Sequence, residues 1–193
     1  MLVAETEDVT TEEEEQRDPE QEARRQLALA QIRQYSDPVL RMRAREVESF
    51  DDDLRRLAER MTQLMRDANG VGLAATQIGI LRRVFLFQPD PEEEPVAVVN
   101  PVLIEKSDEI AVDDEGCLSM QGVQMPVERP TSVRLEGRSV DGGEVSLDLA
   151  EHPARVVQHE LDHLDGVLIL DRTTEEARKE ALAVLRPKAV LAP

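Results

Sequence analysis

The chain is poor in cysteine and in aromatic residues, and it has no long apolar run. One cysteine occurs in 193 residues, so no intrachain disulfide can form and a reducing cytoplasm is the expected location. Aromatic residues make up 2% of the chain and tryptophan is absent, so the 40% of hydrophobic residues must build an aliphatic core. No apolar stretch approaches the roughly 20 residues of a membrane-spanning helix, so no association with a membrane is expected.

Basic residues are also scarce, because the chain has 23 Lys and Arg but 41 Asp and Glu, which gives a net charge of −18. Residues 1–22 hold ten of the acidic residues and one arginine, and therefore carry half of that charge. Such an acidic run is typical of a flexible extension. We therefore expect an extension over residues 1–22, one catalytic domain over residues 23–193, and no binding to DNA.

Hydrophobic periodicity and turn residues predict helices and strands that do not alternate as βαβ units. Helices are expected at residues 22–34, 51–69 and 153–166, and from a capping box of Thr173 with Glu176 to just before Pro187. Strands are expected at residues 84–87, 96–104, 133–135, 144–149 and 167–170, and an acidic turn is expected before residue 115. Residues 96–104 form either a pair of strands or one strand with a bend at Asn100-Pro101. This order predicts an α+β fold, with mainly antiparallel sheets around a central helix and further helices near both ends.

The predicted helix at residues 153–166 contains two of the three histidines, in the segment QHELDHLDG. His159 and His163 lie one turn apart with Glu160 beside them, so two ring nitrogens can reach one divalent metal ion. Glu160 can then act on a water at that ion without being a ligand, which is the HExxH arrangement. A five-residue pattern also occurs by chance, and the alternative is an amphipathic helix with polar residues on its surface.

A metal site of this type needs a third protein ligand. Cys117, within EGCLS at residues 115–119, is one candidate, although a lone cysteine is often a small buried hydrophobe or a nucleophile, here paired with His152. Glutamates 12 to 17 residues after the second histidine are the other candidates, at a spacing that is short for thermolysin-like enzymes. They are Glu175, Glu176 and Glu180.

Together with GVGLAATQIG at residues 70–79, the two segments resemble the three signature motifs of the peptide deformylase family, in that family's order and spacing. The resemblance implies one metal ion on Cys117, His159 and His163, typically Fe²⁺, with Zn²⁺, Ni²⁺ or Co²⁺ able to occupy the same site. It also implies the hydrolysis of the N-formyl group from the formyl-methionine terminus of newly synthesised proteins, with release of formate.

The same resemblance implies roles for six further residues. Glu160 is the acid–base, while the Gln77 side-chain amide and the Leu118 backbone N–H donate hydrogen bonds to the oxyanion. Val71, Gly72 and Gly116 contact the extended peptide substrate. The segment Met120-Gln121-Gly122 departs from the apolar residue and proline that are frequent there in the family, which puts details of peptide binding in question.

Two other functions compete with this interpretation. An HExxH metallopeptidase uses the same water chemistry but needs neither Cys117 nor the Gln77 loop. A non-catalytic relative that binds nascent chains or the ribosome is expected to have lost Glu160 or a ligand. Arg178 and Lys179 in the last helix suggest a transient contact with the ribosome, although the glutamates beside them favour a packed or solvated terminal helix.

Overall fold

The computed structural model describes residues 18–185, so most of the predicted extension lies outside the described residues. The helices are α1 (Pro19–Leu29), α2 (Asp52–Asp67), α3 (Glu151–Leu164) and α4 (Glu175–Leu185), with short 3-10 helices at Pro38–Arg41, Ala75–Ile78 and Ile169–Asp171. The strands are β1 (Gly72–Ala74), β2 (Val84–Phe87), β3 (Val96–Lys106), β4 (Ile110–Cys117), β5 (Met120–Pro130), β6 (Ser132–Arg138) and β7 (Glu144–Ala150).

Two antiparallel sheets confirm the predicted α+β class. One has five strands in the order β1-β2-β3-β6-β7, and the other consists of β4 and β5. The bend expected in β3 is present at Asn100, whose φ is 50°, and the register with β6 shifts between Val99 and Val102. Of the described residues, no helix has both the length and the apolarity needed to cross a bilayer.

Three local expectations were wrong. The residues before Glu115 form strand β4 rather than an acidic turn. The segment at 167–170 is not a strand but leads into a 3-10 turn, in which Asp171 accepts a hydrogen bond from the Leu168 N–H at 2.9 Å. The cap of α4 is Thr174 rather than Thr173, because the Thr174 hydroxyl accepts from the N–H of Ala177 at 3.2 Å.

Helix α1 is displaced toward the N-terminus relative to the prediction, so residues 18–22 belong to the folded part of the chain. It begins at Pro19 because Asp18 caps it and proline favours the first helical position. It ends at Leu29, and the backbone after it forms hydrogen bonds with two other segments of the chain. The N–H of Arg33 donates to the Gln77 carbonyl at 2.7 Å, and that of Tyr35 donates to the Ser119 carbonyl at 2.8 Å.

The histidine helix α3 is buried on more than its apolar face. Ala154, Val157 and Leu164 pack into a cluster with Phe85 and Phe87 of β2, as the periodicity predicts. Glu160 and His163 are also buried, with 3% and 1% of their surface exposed. The polar side of the helix therefore faces protein and not bulk water, which is unusual for ionisable residues without a function.

Candidate metal centre and catalytic cleft

One thiol and two imidazoles converge beside α3. The Cys117 Sγ lies 3.2 Å from the His163 Nε2, and one ligand atom from each of Cys117, His159 and His163 lies within 4.8 Å of the other two. Cys117 is supplied by the end of β4, whereas the two histidine rings project from successive turns of α3 with their centroids 4.9 Å apart. The predicted ligand set is therefore assembled from two distant parts of the chain. Within the part of the chain that the structure describes, His152 and the glutamates of α4 do not belong to this group of metal-binding atoms.

His159 is oriented by a buried carboxylate. Its Nδ1 lies 3.0 Å from the Glu115 Oε2, which leaves Nε2 for the site. Burial lowers the pKa of His159, but the hydrogen bonds with Cys117 and Glu115 outweigh it and raise the pKa well above its ordinary value. A carboxylate on the far nitrogen fixes the ring and makes the imidazole a better donor to a metal ion. Burial lowers the pKa of His163, which favours a neutral ring that can bind a metal without losing a proton.

Glu115 is in turn held by two arginines. Arg129 donates to both carboxylate oxygens, at 2.8 and 2.9 Å, and Arg155 donates to one of them at 2.8 Å. Burial alone would raise the pKa of Glu115, but the hydrogen bonds from Arg129 and His159 outweigh it and hold the pKa well below its ordinary range. The carboxylate is therefore charged at neutral pH.

These three residues had no role in the sequence interpretation. A signal for Arg129 was present, because the buried positions Val123, Met125 and Val127 alternate along β5 and Arg129 is the next inward position. A charged residue at an inward position of a strand indicates a buried partner.

Glu160 lies against a glycine of the 70–79 motif. A Cβ added at Gly72 would meet the Glu160 Oε1 at 2.3 Å, so the absence of a side chain there makes room for the carboxylate. The other oxygen, Oε2, is buried and has no hydrogen-bond partner among the described residues. Burial raises the pKa of Glu160 to about 7, which is near the optimum for a general base at neutral pH.

The Gln77 amide is fixed at both ends. Its Oε1 accepts from the Ala74 N–H at 2.8 Å, and its Nε2 lies 3.2 Å from the Ser119 Oγ and 3.7 Å from the Cys117 Sγ. The orientation of the amide is therefore set by the first contact, with Nε2 toward the thiol. Leu118 lies in the two-residue turn between β4 and β5, where its carbonyl accepts from the Gln34 side chain at 3.0 Å.

A cleft of about 940 Å³ runs past these groups. Val71 and Gly72 line it, as does Gly116 beside Cys117 and Leu118. Gln77, His159 and Glu160 also line it, so two of the three residues of the Cys–His–His group, Cys117 and His159, border the same space as Gln77 and Glu160. Gln121, which departs from the family pattern, borders this cleft and donates from its side chain to the Leu118 carbonyl at 2.7 Å. His152 is exposed at the start of α3, which agrees with a surface histidine.

An antiparallel α+β fold with an HExxH helix and a Cys–His–His group of metal-binding atoms defines a class of protein, the mononuclear metallohydrolases. The comparisons narrow this class. The sequence model described as Polypeptide deformylase matches residues 29–179. A peptide deformylase of Thermotoga neapolitana is 47% identical over 141 residues, which cover 73% of this chain and 85% of that one. Another, of Desulforudis audaxviator, is 43% identical over 155 residues, which cover 80% of this chain and 100% of that one.

The comparison with solved structures points to the same family as the sequence comparisons. The crystal structure of peptide deformylase from Thermotoga maritima matches with a TM-score of 0.71 and 43% identity, over 74% of this chain and 96% of that one. The chain therefore belongs to the polypeptide deformylase family.

Proposed function

We propose that this deformylase removes the N-formyl group from the formyl-methionine terminus of newly synthesised polypeptides, with one divalent metal ion held by Cys117, His159 and His163. The observation that carries the proposal is the convergence of these three ligand atoms beside the buried Glu160. An HExxH metallopeptidase would not need Cys117, and a non-catalytic relative would not need Glu160, so the complete set favours the deformylase.

The donor set fits a metal ion of this kind. Tetrahedral coordination with bonds of about 2.3 Å to sulfur and about 2.0 Å to nitrogen separates neighbouring ligand atoms by about 3.3–3.5 Å. The separation of the Cys117 Sγ from the His163 Nε2, 3.2 Å, is close to that size, and every pair of ligand atoms in the group lies within 4.8 Å. One thiolate with two imidazoles suits Fe²⁺, Zn²⁺, Ni²⁺ and Co²⁺, of which we propose Fe²⁺ as the native ion.

When bound, the ion supplies a Lewis acid that lowers the pKa of a water molecule and polarises the formyl carbonyl. Glu160 accepts the proton of the attacking water, because its carboxylate has an oxygen without a hydrogen-bond partner among residues 18–185 and a pKa of about 7. The same carboxyl group then delivers this proton to the departing amine. The products are formate and a peptide with a free amino terminus.

The oxyanion that develops on the formyl group requires donors aimed at it before the reaction. We assign this role to the Gln77 Nε2 and to the Leu118 backbone N–H. Gln77 suits the role because the Ala74 N–H already fixes its Oε1. The peptide lies extended between Val71 and Gly72 on one side and Gly116 on the other, and its backbone pairs with these segments as an added strand.

The test is metal analysis of anaerobically purified protein, together with formate release from a formyl-methionyl peptide. Wild-type protein should hold one ion per chain and release formate, whereas Cys117→Ala should lose most of its metal because two ligands remain. Stoichiometric metal in Cys117→Ala would refute the thiolate ligand. A metal-loaded wild-type protein that releases no formate would refute the function. A transient contact with the ribosome through α4 and a cytoplasmic location stay predictions from the sequence.

A further inference from the structure

Arg155 is a buried residue of α3 for which neither the sequence motifs nor the proposed chemistry provides a role. It is 9% exposed, and its guanidinium makes four hydrogen bonds in two directions. Its Nη1 donates to the Glu115 Oε1 at 2.8 Å and to the Val127 carbonyl at 2.9 Å. Its Nη2 donates to the Ala111 carbonyl at 3.0 Å and to the Asp113 carboxylate at 2.9 Å.

These contacts connect the metal centre to the wall of the cleft. Glu115 holds the ring of His159, which is one helical turn beyond Arg155 on α3. Ala111 and Asp113 belong to β4, and both line the cleft together with Gly116 further along the same strand. One planar group with a fixed set of donors therefore sets the distance between α3 and the part of β4 that carries Ala111 and Asp113.

We propose that Arg155 is a positioning residue that fixes strand β4, the outer wall of the peptide cleft, relative to the metal-binding helix. It acts on the metal through Glu115 and on longer substrates through Ala111 and Asp113. The inference rests on the proposed role of His159 as a metal ligand and of the cleft as the peptide site.

A second arginine allows the two effects to be separated. Arg129 is as deeply buried, at 4% exposure, and donates to both oxygens of Glu115. Its remaining side-chain hydrogen bond is with Asp162 of α3, at 2.7 Å. Within residues 18–185, the Arg129 side chain forms a hydrogen bond with no residue of β4 except Glu115. Arg172 also bonds Asp162, at 2.7 Å, but does not reach Glu115, so it serves as the control at the far end of the same network.

The experiment compares zinc-loaded full-length wild type with Arg155→Met, Arg155→Lys, Arg129→Lys and Arg172→Met. The first measurement is the rate of zinc transfer to a chromogenic chelator, which does not depend on turnover. Loss of a group that orients a ligand typically weakens metal binding by about 10–100-fold. Arg155→Met should therefore release zinc about 10–100-fold faster, Arg155→Lys and Arg129→Lys should be intermediate, and Arg172→Met should match wild type.

The second measurement is kcat/KM for formyl-methionine amide and for a formyl-methionyl tetrapeptide. In wild type, kcat/KM should be higher for the tetrapeptide than for the amide. In both Arg155 variants, this ratio of the two kcat/KM values should fall by about tenfold, the effect of losing hydrogen bonds of ordinary strength. Arg129→Lys should keep the wild-type ratio between the two substrates.

Wild-type zinc release in both Arg155 variants would overturn the proposal, as would an equal change of the substrate ratio in Arg129→Lys. Should Arg155→Met fail to fold by circular dichroism, Arg155→Lys carries the same two comparisons. A wild-type chain that holds zinc but cleaves neither substrate would refute the proposed function, while the release rates would still decide the role of Arg155.

Discussion

A single methyl group added at Gly72 tests whether the position of Glu160 sets the rate. The Cβ of Gly72→Ala would lie 2.3 Å from the Glu160 Oε1 and 2.9 Å from its Cδ, where ordinary contacts begin at 3.4 Å. Gly72 does not have a positive φ, so the backbone accepts alanine without strain. The carboxylate must therefore move by about 1 Å, the difference between 2.3 and 3.4 Å.

The expected cost follows from that displacement. A misplacement of about 1 Å in an active site can lower the rate by about 10²-fold, or about 2.7 kcal/mol in the activation free energy. Glu160→Gln removes the base and sets the lower limit, since general acid–base catalysis is typically worth about 10²–10⁴-fold. Gly72→Ala should thus approach the defect of Glu160→Gln while both variants retain their metal and fold.

The assay is formate release under saturating peptide, with metal content measured on the same samples. Gly116→Ala is the comparison on the opposite wall, because an added Cβ there meets no atom closer than 3.7 Å. It should change KM more than kcat. Gly72→Ala with a kcat within twofold of wild type and full metal content would refute the placement of Glu160 as the base.

Three further outcomes are expected. Gln77→Ala should keep metal and fold and lower kcat by about 10²–10³-fold, and an effect confined to KM would make the residue a ground-state contact. Removal of residues 1–17, which leaves the Asp18 cap of α1 intact, should leave kcat/KM nearly unchanged, and a large decrease would show that the extension contacts the cleft. Burial raises the pKa of Asp171, but the hydrogen bonds from Arg41 and from the Leu168 N–H outweigh it and lower the pKa. The pair therefore stabilises the fold above the unfolded pKa of about 3.9, and this contribution is lost as the pH falls through the folded pKa. Asp171→Asn should lower the urea stability by about 1 kcal/mol at pH 7, with a smaller difference at pH 3, and an equal loss at both pH values would contradict the assignment.

Elements specified by local signals could be predicted from the sequence. Helix α2 has an apolar stripe, the Asp51 cap and a stop at Asn69, and the structure has the helix within two residues of that prediction. The sequence motifs and the family resemblance also predicted the group of Cys117, His159 and His163, whose ligand atoms the structure brings together. Nearby residues in the sequence set the bounds of α2 and the spacing of the two histidines.

Strand β4 could not be predicted in the same way. Its sequence IAVDDEGC is rich in acidic residues, which favours a solvated turn when the segment is considered alone. In the structure, Glu115 is paired with Arg129 and Arg155, which are 14 and 40 residues away, and Asp113 is paired with Arg155. A buried carboxylate needs such partners, and partners at this distance in sequence leave no pattern within the segment 110–117 itself. The 3-10 turn at Ile169–Asp171 was missed for a related reason, since a short apolar run has no period by which it can be distinguished from a strand.

The two segments that complete the site beside α3, at Gln77 and at Cys117–Ser119, are both bonded by residues 33–35. Arg155, His159 and His163 follow each other at intervals of four on α3, so each is displaced by about 6 Å along the axis and about 40° around it. Helical hydrogen bonds set this spacing, whereas Gln77 lies in the 3-10 helix at Ala75–Ile78 and Cys117 at the end of β4, 40 residues apart in the sequence. Residues 33–35 bond both segments, through the carbonyls of Gln77, Leu118 and Ser119. The backbones at Gln77, Leu118 and Ser119 are thereby held relative to each other, so the positions of Gln77 and of the turn after Cys117 depend on the residues that follow α1 as well as on the motifs themselves.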